Sequence, residues 1–206
     1  MLSKVNRVLA TDARGALNSF LDRSSLIWVQ KVSTFLMRLE MKRRGITYGK
    51  HVSFWGRTYF RRKYRSSIVI GNNCRFRSHL LSNYIGLNRP CLVATMARGA
   101  EVSIGDGTGL SGTVICAASS IRIGKNVLCG GNTLITDFDW HEVTGVRNEP
   151  APIIIEDRVW LGVNVTILKG VTIGTESVVG ANSTVCRSIP PRCIAAGNPC
   201  KVLRKI

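Results

Sequence analysis

The chain has 206 residues, of which 45% are hydrophobic, with 20 glycines and only 6 prolines. This supplies one core of ordinary domain size and excludes both a disordered and a collagen-like chain. The formal charge of +17 is uneven: residues 1–65 carry 15 Lys and Arg against 3 Asp and Glu, while residues 66–206 carry 14 against 9. The basic excess sits in the first third and favours anionic partners: nucleic acid, an anionic membrane surface or phosphorylated ligands.

Residues 15–44 read as a helix. Leu26, Val29, Phe35, Leu36 and Leu39 approximate a 3.6-residue stripe, Lys31, Arg38, Lys42, Arg43 and Arg44 give it a basic side and end, and Gly45 is a stop. Two roles suit such a segment and can coexist. It can cap the main fold, or it can rest on an anionic bilayer with Trp28 and Phe35 as anchors. Its most apolar stretch, SLIWVQKVSTFLMRL, contains Gln30 and Lys31 and is too short and polar to span a bilayer. Asp12, Arg14, Asp22 and Arg23 interrupt the start, so no cleavable leader is expected. We divide the chain into a basic amphipathic helical segment, 1–45, and a repeat domain, 46–206.

Residues 46–100 read as transitional. SIVIGNNCRF (67–76) is an isolated early repeat, and TYFRRKYRS a basic, aromatic strand or loop. No helix, finger or stacking motif of a nucleic-acid module accompanies it, so no nucleic-acid partner is expected.

From residue 101 a period of six takes over. Ile155, Leu161, Ile167, Ile173, Val179 and Val185 are spaced without a slip, small residues such as Gly162, Gly174 and Gly180 follow some of them, and Val159, Val165, Val171, Ser177, Ser183 and Ile189 hold the fifth places. Six fits neither a long helix nor a hairpin series. It is the period of a parallel β-helix, an all-β solenoid with three hexapeptides per coil and inward-stacked aliphatics. Cys129 falls on an inward position and reads as core. The other cysteines, Cys74, Cys91, Cys116, Cys186, Cys193 and Cys200, form no CxxC pair and no zinc spacing with a histidine. They read as reduced thiols, which points to a reducing cytosol.

Between Ile135 and Ile155 the repeat is broken by an excursion, about 137–152, containing TDFDWHEVTG. A long loop on a rigid solenoid is a place for chemistry. It carries His141 among Asp137, Asp139 and Glu142. From these residues alone, a histidine with a task and an ordinary loop histidine are equal readings. His51 and His79 lie elsewhere, and three scattered histidines give no metal-ligand spacing, so no metal is expected.

The order of IGKNVLCGGNTLITDFDWH, IIIEDRVWLGVNVTILKGVTIG and VVGANSTVCRSIPPRCIAAGNPCKVLRKI resembles the left-handed β-helix (hexapeptide-repeat) acyltransferases. More narrowly it is similar to the sugar and polysaccharide O-acetyltransferases related to galactoside and maltose acetyltransferase. The resemblance is good over about 100–206 and loose over 67–100. It implies a left-handed coil, a homotrimer, acetyl-CoA as donor and active sites in clefts between subunits, with His141 as catalytic base. A neutral imidazole, with a pKa near ~6.5, suits removal of a hydroxyl proton near neutral pH. Asp139 is our choice to orient it. Ser111 stands where galactoside acetyltransferases carry a substrate-contacting asparagine, and is a candidate for the developing oxyanion. By position, coenzyme contacts fall on the backbone of Val163 and Ala181, on Cys186 and Arg187, and on Lys201 and Arg204. Gly162, Gly180 and Ala181 would leave room for the pantetheine arm, with Trp160 beside it, and the three cations suit its phosphates.

The expected function is therefore O-acetylation of a sugar or glycan acceptor, such as a capsule or O-antigen unit or its precursor. The protein would be cytoplasmic or peripheral at the inner membrane face. N-acetylation of an amino or nucleotide sugar, and a non-enzymatic β-helix scaffold, are the alternatives.

Overall fold

The structure is a computed structural model that describes residues 12–141 and 149–206. Helix α1, Ala13–Arg43, opens it; the Asp12 carboxylate accepts from the Gly15 N–H (2.8 Å) as N-cap. Six coils follow, three strands each. They are β1 (Thr47–Tyr48), β2 (Ser53–Trp55) and β3 (Tyr59–Arg61); β4 (Ser67–Ile70), β5 (Arg75–Arg77) and β6 (Leu92–Thr95); β7 (Glu101–Ile104), β8 (Gly109–Ser111) and β9 (Val114–Ala117); β10 (Ser120–Ile123), β11 (Leu128–Cys129) and β12 (Leu134–Thr136); β13 (Ile153–Ile155), β14 (Trp160–Leu161) and β15 (Thr166–Ile167); β16 (Thr172–Ile173), β17 (Val178–Val179) and β18 (Thr184–Val185). First, second and third strands form three parallel sheets, A, B and C. The second sheet is extended by β19 (Cys193–Ala196) and closed by the antiparallel β20 (Lys201–Lys205).

The regular hexads behave as their period requires. Ile155 pairs with Ile173, Leu161 with Val179 and Ile167 with Val185, all buried. The fifth-place residues Val159, Val165, Val171, Ser177, Ser183 and Ile189 are buried too. The two serines survive inside because their hydroxyls donate to the Pro190 and Gly180 carbonyls (2.8 and 2.7 Å). Gly162 is a glycine because a Cβ there would lie 2.6 Å from the Ala181 backbone nitrogen of the next coil.

Residues 46–100, expected to be transitional, form two full coils. Phe54, Phe60 and Phe76 occupy inward places that aliphatics hold elsewhere; Phe54 stacks on Phe76 at 4.9 Å, with Phe60 edge-on to both. This aromatic plug fills the end of the solenoid. A second excursion, unseen in the sequence, leaves between β5 and β6 and carries a short 3₁₀ turn, Leu80–Ser82.

The helix also differs from its expected face. Met37 and Met41 are the buried residues, whereas Phe35, Leu36 and Leu39 are exposed and Leu26 and Val29 only half-buried. The helix closes the open edge of β2 with side chains. Phe54 N–H donates to Thr34 Oγ1 (3.0 Å), Gly56 N–H to Ser33 Oγ (3.1 Å) and Thr58 N–H to Met37 Sδ (3.3 Å). These are donors that another coil would otherwise take.

Candidate active site

The excursion expected at 137–152 leaves after β12 and returns at β13. Its stem is fixed by Asp137. That carboxylate is fully buried and accepts from the Ala118 and Ser119 N–H groups (2.6 and 2.8 Å), while its backbone carbonyl accepts from Ala151 N–H (2.9 Å). Thr136 Oγ1 donates to the Phe138 carbonyl (3.0 Å), and the Phe138 and Trp140 rings pack at 4.7 Å. Asp139 Oδ2 accepts from Lys169 Nζ at 2.6 Å. Lys169 lies at the same corner of the prism one coil later, and the sequence reading missed it. His141 is exposed at the end of this braced stem. Glu142 and the rest of the loop to 148 lie outside the described residues.

The site candidates fall on two edges of the triangular solenoid. Asp139, His141 and Lys169 occupy the edge between third-strand and first-strand sheets, joined two coils on from the loop by the exposed Cys186 and Arg187. Ser111, Gly162, Val163, Gly180 and Ala181 lie along the edge between second-strand and third-strand sheets. Trp160 stands 55% exposed on the outer face of the second sheet, next in line to Leu128 at 48%. Lys201 and Arg204 are exposed on β20, at the end of that sheet. Arg187, Lys201 and Arg204 form no ion pair with the described residues. One chain thus separates the His141 group from the Ser111 group by the width of a sheet.

Ser111 is buried. Its Oγ accepts from Asn83 Nδ2 (3.3 Å) and its N–H donates to Thr113 Oγ1 (3.2 Å). Asn83 comes from the second excursion, and no signal in the sequence pairs the two. His79 is structural: its Nδ1 accepts from Leu81 N–H (3.3 Å) as cap of the 3₁₀ turn. Burial pushes the Cys129 thiol up to about 12 and the Cys74 and Cys116 thiols up to about 11. Among the described residues no group of His, Cys, Asp and Glu is built to hold a metal.

Comparison with known proteins agrees with this architecture. Residues 152–187 match the family model described as the hexapeptide repeat of succinyl-transferase. The chain is 43% identical over 91 residues to the galactoside O-acetyltransferase of Escherichia coli, covering 42% of this chain and 45% of that one. A Vibrio cholerae hexapeptide-repeat acetyltransferase, solved with acetyl coenzyme A, superposes over 96% of this chain and 91% of its own, with TM-score 0.54 and 24% identity. A Bacillus cereus N-acyltransferase, solved with dTDP and coenzyme A, superposes over 81% and 88%, with TM-score 0.59 and 19% identity. The two structures share the fold, a left-handed parallel β-helix. Over this repeat region the chain is similar to hexapeptide-repeat acetyltransferases. The matched segments span less than half the length of the curated relatives.

Proposed function

We propose that the protein is an acetyl-CoA-dependent O-acetyltransferase acting on a sugar or glycan hydroxyl, with His141 as general base. The observation that carries this reading is the excursion itself. An otherwise continuous solenoid edge is interrupted once between β12 and β13, and the interruption holds His141 on a stem braced by Asp137 and by the Asp139–Lys169 pair. In the reaction, the acceptor hydroxyl gives its proton to the imidazole as its oxygen attacks the thioester carbonyl. The carbon–sulfur bond then breaks, and the proton passes to the departing thiolate. No acyl-enzyme is required when both substrates are held together. Arg187, Lys201 and Arg204 would hold the coenzyme phosphates, with the arm laid along the corner of Gly162, Val163, Gly180 and Ala181 beside Trp160. Asn83 and Ser111 would face the acceptor.

Because the two groups of residues lie on different edges of one chain, we assign the working unit to a homotrimer, in which one subunit's His141 edge meets another's Ser111 edge. The basic N-terminal third favours an anionic acceptor, such as a surface-polysaccharide unit or its precursor. The test is thiol release from acetyl-CoA with neutral sugars, amino sugars, nucleotide sugars and acidic glycans. We expect turnover to need an acceptor, and His141→Ala to lower it by about 10²–10⁴-fold while coenzyme affinity is kept. Undiminished turnover in that variant would remove His141 from the mechanism, and acetylation of an amine alone would move the enzyme to the N-acetylating branch.

A further inference from the structure

Helix α1 is apolar on two opposed sides. One, Met37 and Met41, closes the solenoid; the other is exposed among the described residues. Leu21, Trp28, Val32, Phe35 and Leu39 follow one another at spacings of seven, four, three and four, which places them on one stripe. Their exposures run from 51% to 69%. Between Ala13 and Val32 no residue of the helix is buried, so this half projects past the first coil. The stripe is bordered by Lys31, Arg38 and Lys42 on one side and Arg14 and Arg43 on the other, with the Lys31 ammonium 6.0 Å from the Trp28 ring centroid. Asp22 and Glu40, the acids within the helix, are a whole number of turns apart and lie on the side of Ser33, off the stripe. Glu40 is spent there on Arg44, at 2.6 Å, and on Arg43, at 3.5 Å. Beside the stripe a hollow is lined by Phe35, Arg38, Leu39, Lys42 and Lys50 and contains no acid.

We propose that this outward face of α1 docks the protein on an anionic lipid bilayer. Trp28, Val32, Phe35 and Leu39 would enter the interfacial layer, and the bordering lysines and arginines would extend their aliphatic stems along it to meet lipid phosphates. Charge complementarity selects this occupant. A second copy on the same face would set Lys31, Arg38 and Lys42 against their equivalents with no acid to answer them. A nucleic-acid backbone would match the cations but leave the apolar stripe in water. An anionic membrane answers both, each basic side chain near its surface adding to binding.

The test is flotation of the full chain with vesicles of phosphatidylcholine alone or with one third phosphatidylglycerol, read without reference to turnover. We expect binding to the anionic vesicles at about 0.1 M salt and its loss at about 1 M. Trp28→Ser with Phe35→Ser, and separately Lys31→Ala with Lys42→Ala, should each weaken it by about tenfold. Unchanged circular dichroism and coenzyme affinity in both pairs would show that the fold is kept. Equal binding of wild type to both vesicle types, or wild-type binding by the Trp28/Phe35 pair, overturns the proposal. A drop in oligomer mass in that pair with vesicle binding unaffected also overturns it, by assigning the face to a contact between copies.

Discussion

Cys129 and Cys186 are the same residue type on the same solenoid, and their surroundings give them opposite behaviour. Cys129 is buried on the inward side of β11, and loss of hydration pushes its thiol up to about 12. An unfolded chain ionises the same thiol near its ordinary value of 9.0. The folded state therefore holds more protons than the unfolded one between those values, and stability falls as pH rises through that window. Denaturant midpoints measured from pH 8 to 11 should decline, and Cys129→Val should flatten part of the slope. Cys186 is exposed at the corner beside Arg187. Under N-ethylmaleimide it should be alkylated first, and acetyl-CoA should slow that reaction severalfold if the coenzyme lies along this corner. Peptide mass spectrometry reads both effects, and an unprotected Cys186 would take this corner out of the coenzyme site.

At the scale of elements, the excursion between β12 and β13 depends on one buried carboxylate. Asp137→Ala leaves the Ala118 and Ser119 N–H groups without their acceptor and should cost about 1–3 kcal/mol in urea unfolding. It should also reduce turnover, because the stem that carries His141 is no longer tied to the preceding coil. Asp137→Asn keeps one acceptor oxygen and should be milder in both respects. The sequence showed where this excursion begins and ends, because a strict period of six makes any interruption visible. It could not show that Asp137 is the tie, since a buried acid capped by backbone N–H groups reads like a solvated one. The first two coils were hidden for another reason: Phe54, Phe60 and Phe76 fill aliphatic slots, and a period is hard to see when the residue type changes. For α1 the helix was legible but its inward side was not. Apolar residues ring it, and only contact with β2 selects Met37 and Met41.

The whole molecule is a triangular prism with different ends and different edges. The outer face of the second-strand sheet presents Leu128 and Trp160 side by side, an apolar strip of the kind that subunits bury. Sedimentation equilibrium should give three times the chain mass, and Leu128→Glu should lower it and turnover together. A monomer with full activity would mean that one chain completes the site unaided. The coils also set a distance. Parallel strands repeat at ~4.8 Å and a helix is ~10 Å across, so the stem of His141, three coil steps beyond the first, stands ~25 Å from the outward face of α1. With that face on a bilayer, a hydroxyl pinned at the lipid surface is out of reach. On the proposed reading the acceptor would have to come on a stalk that long, as an extended glycan on its carrier does, or arrive free of the membrane.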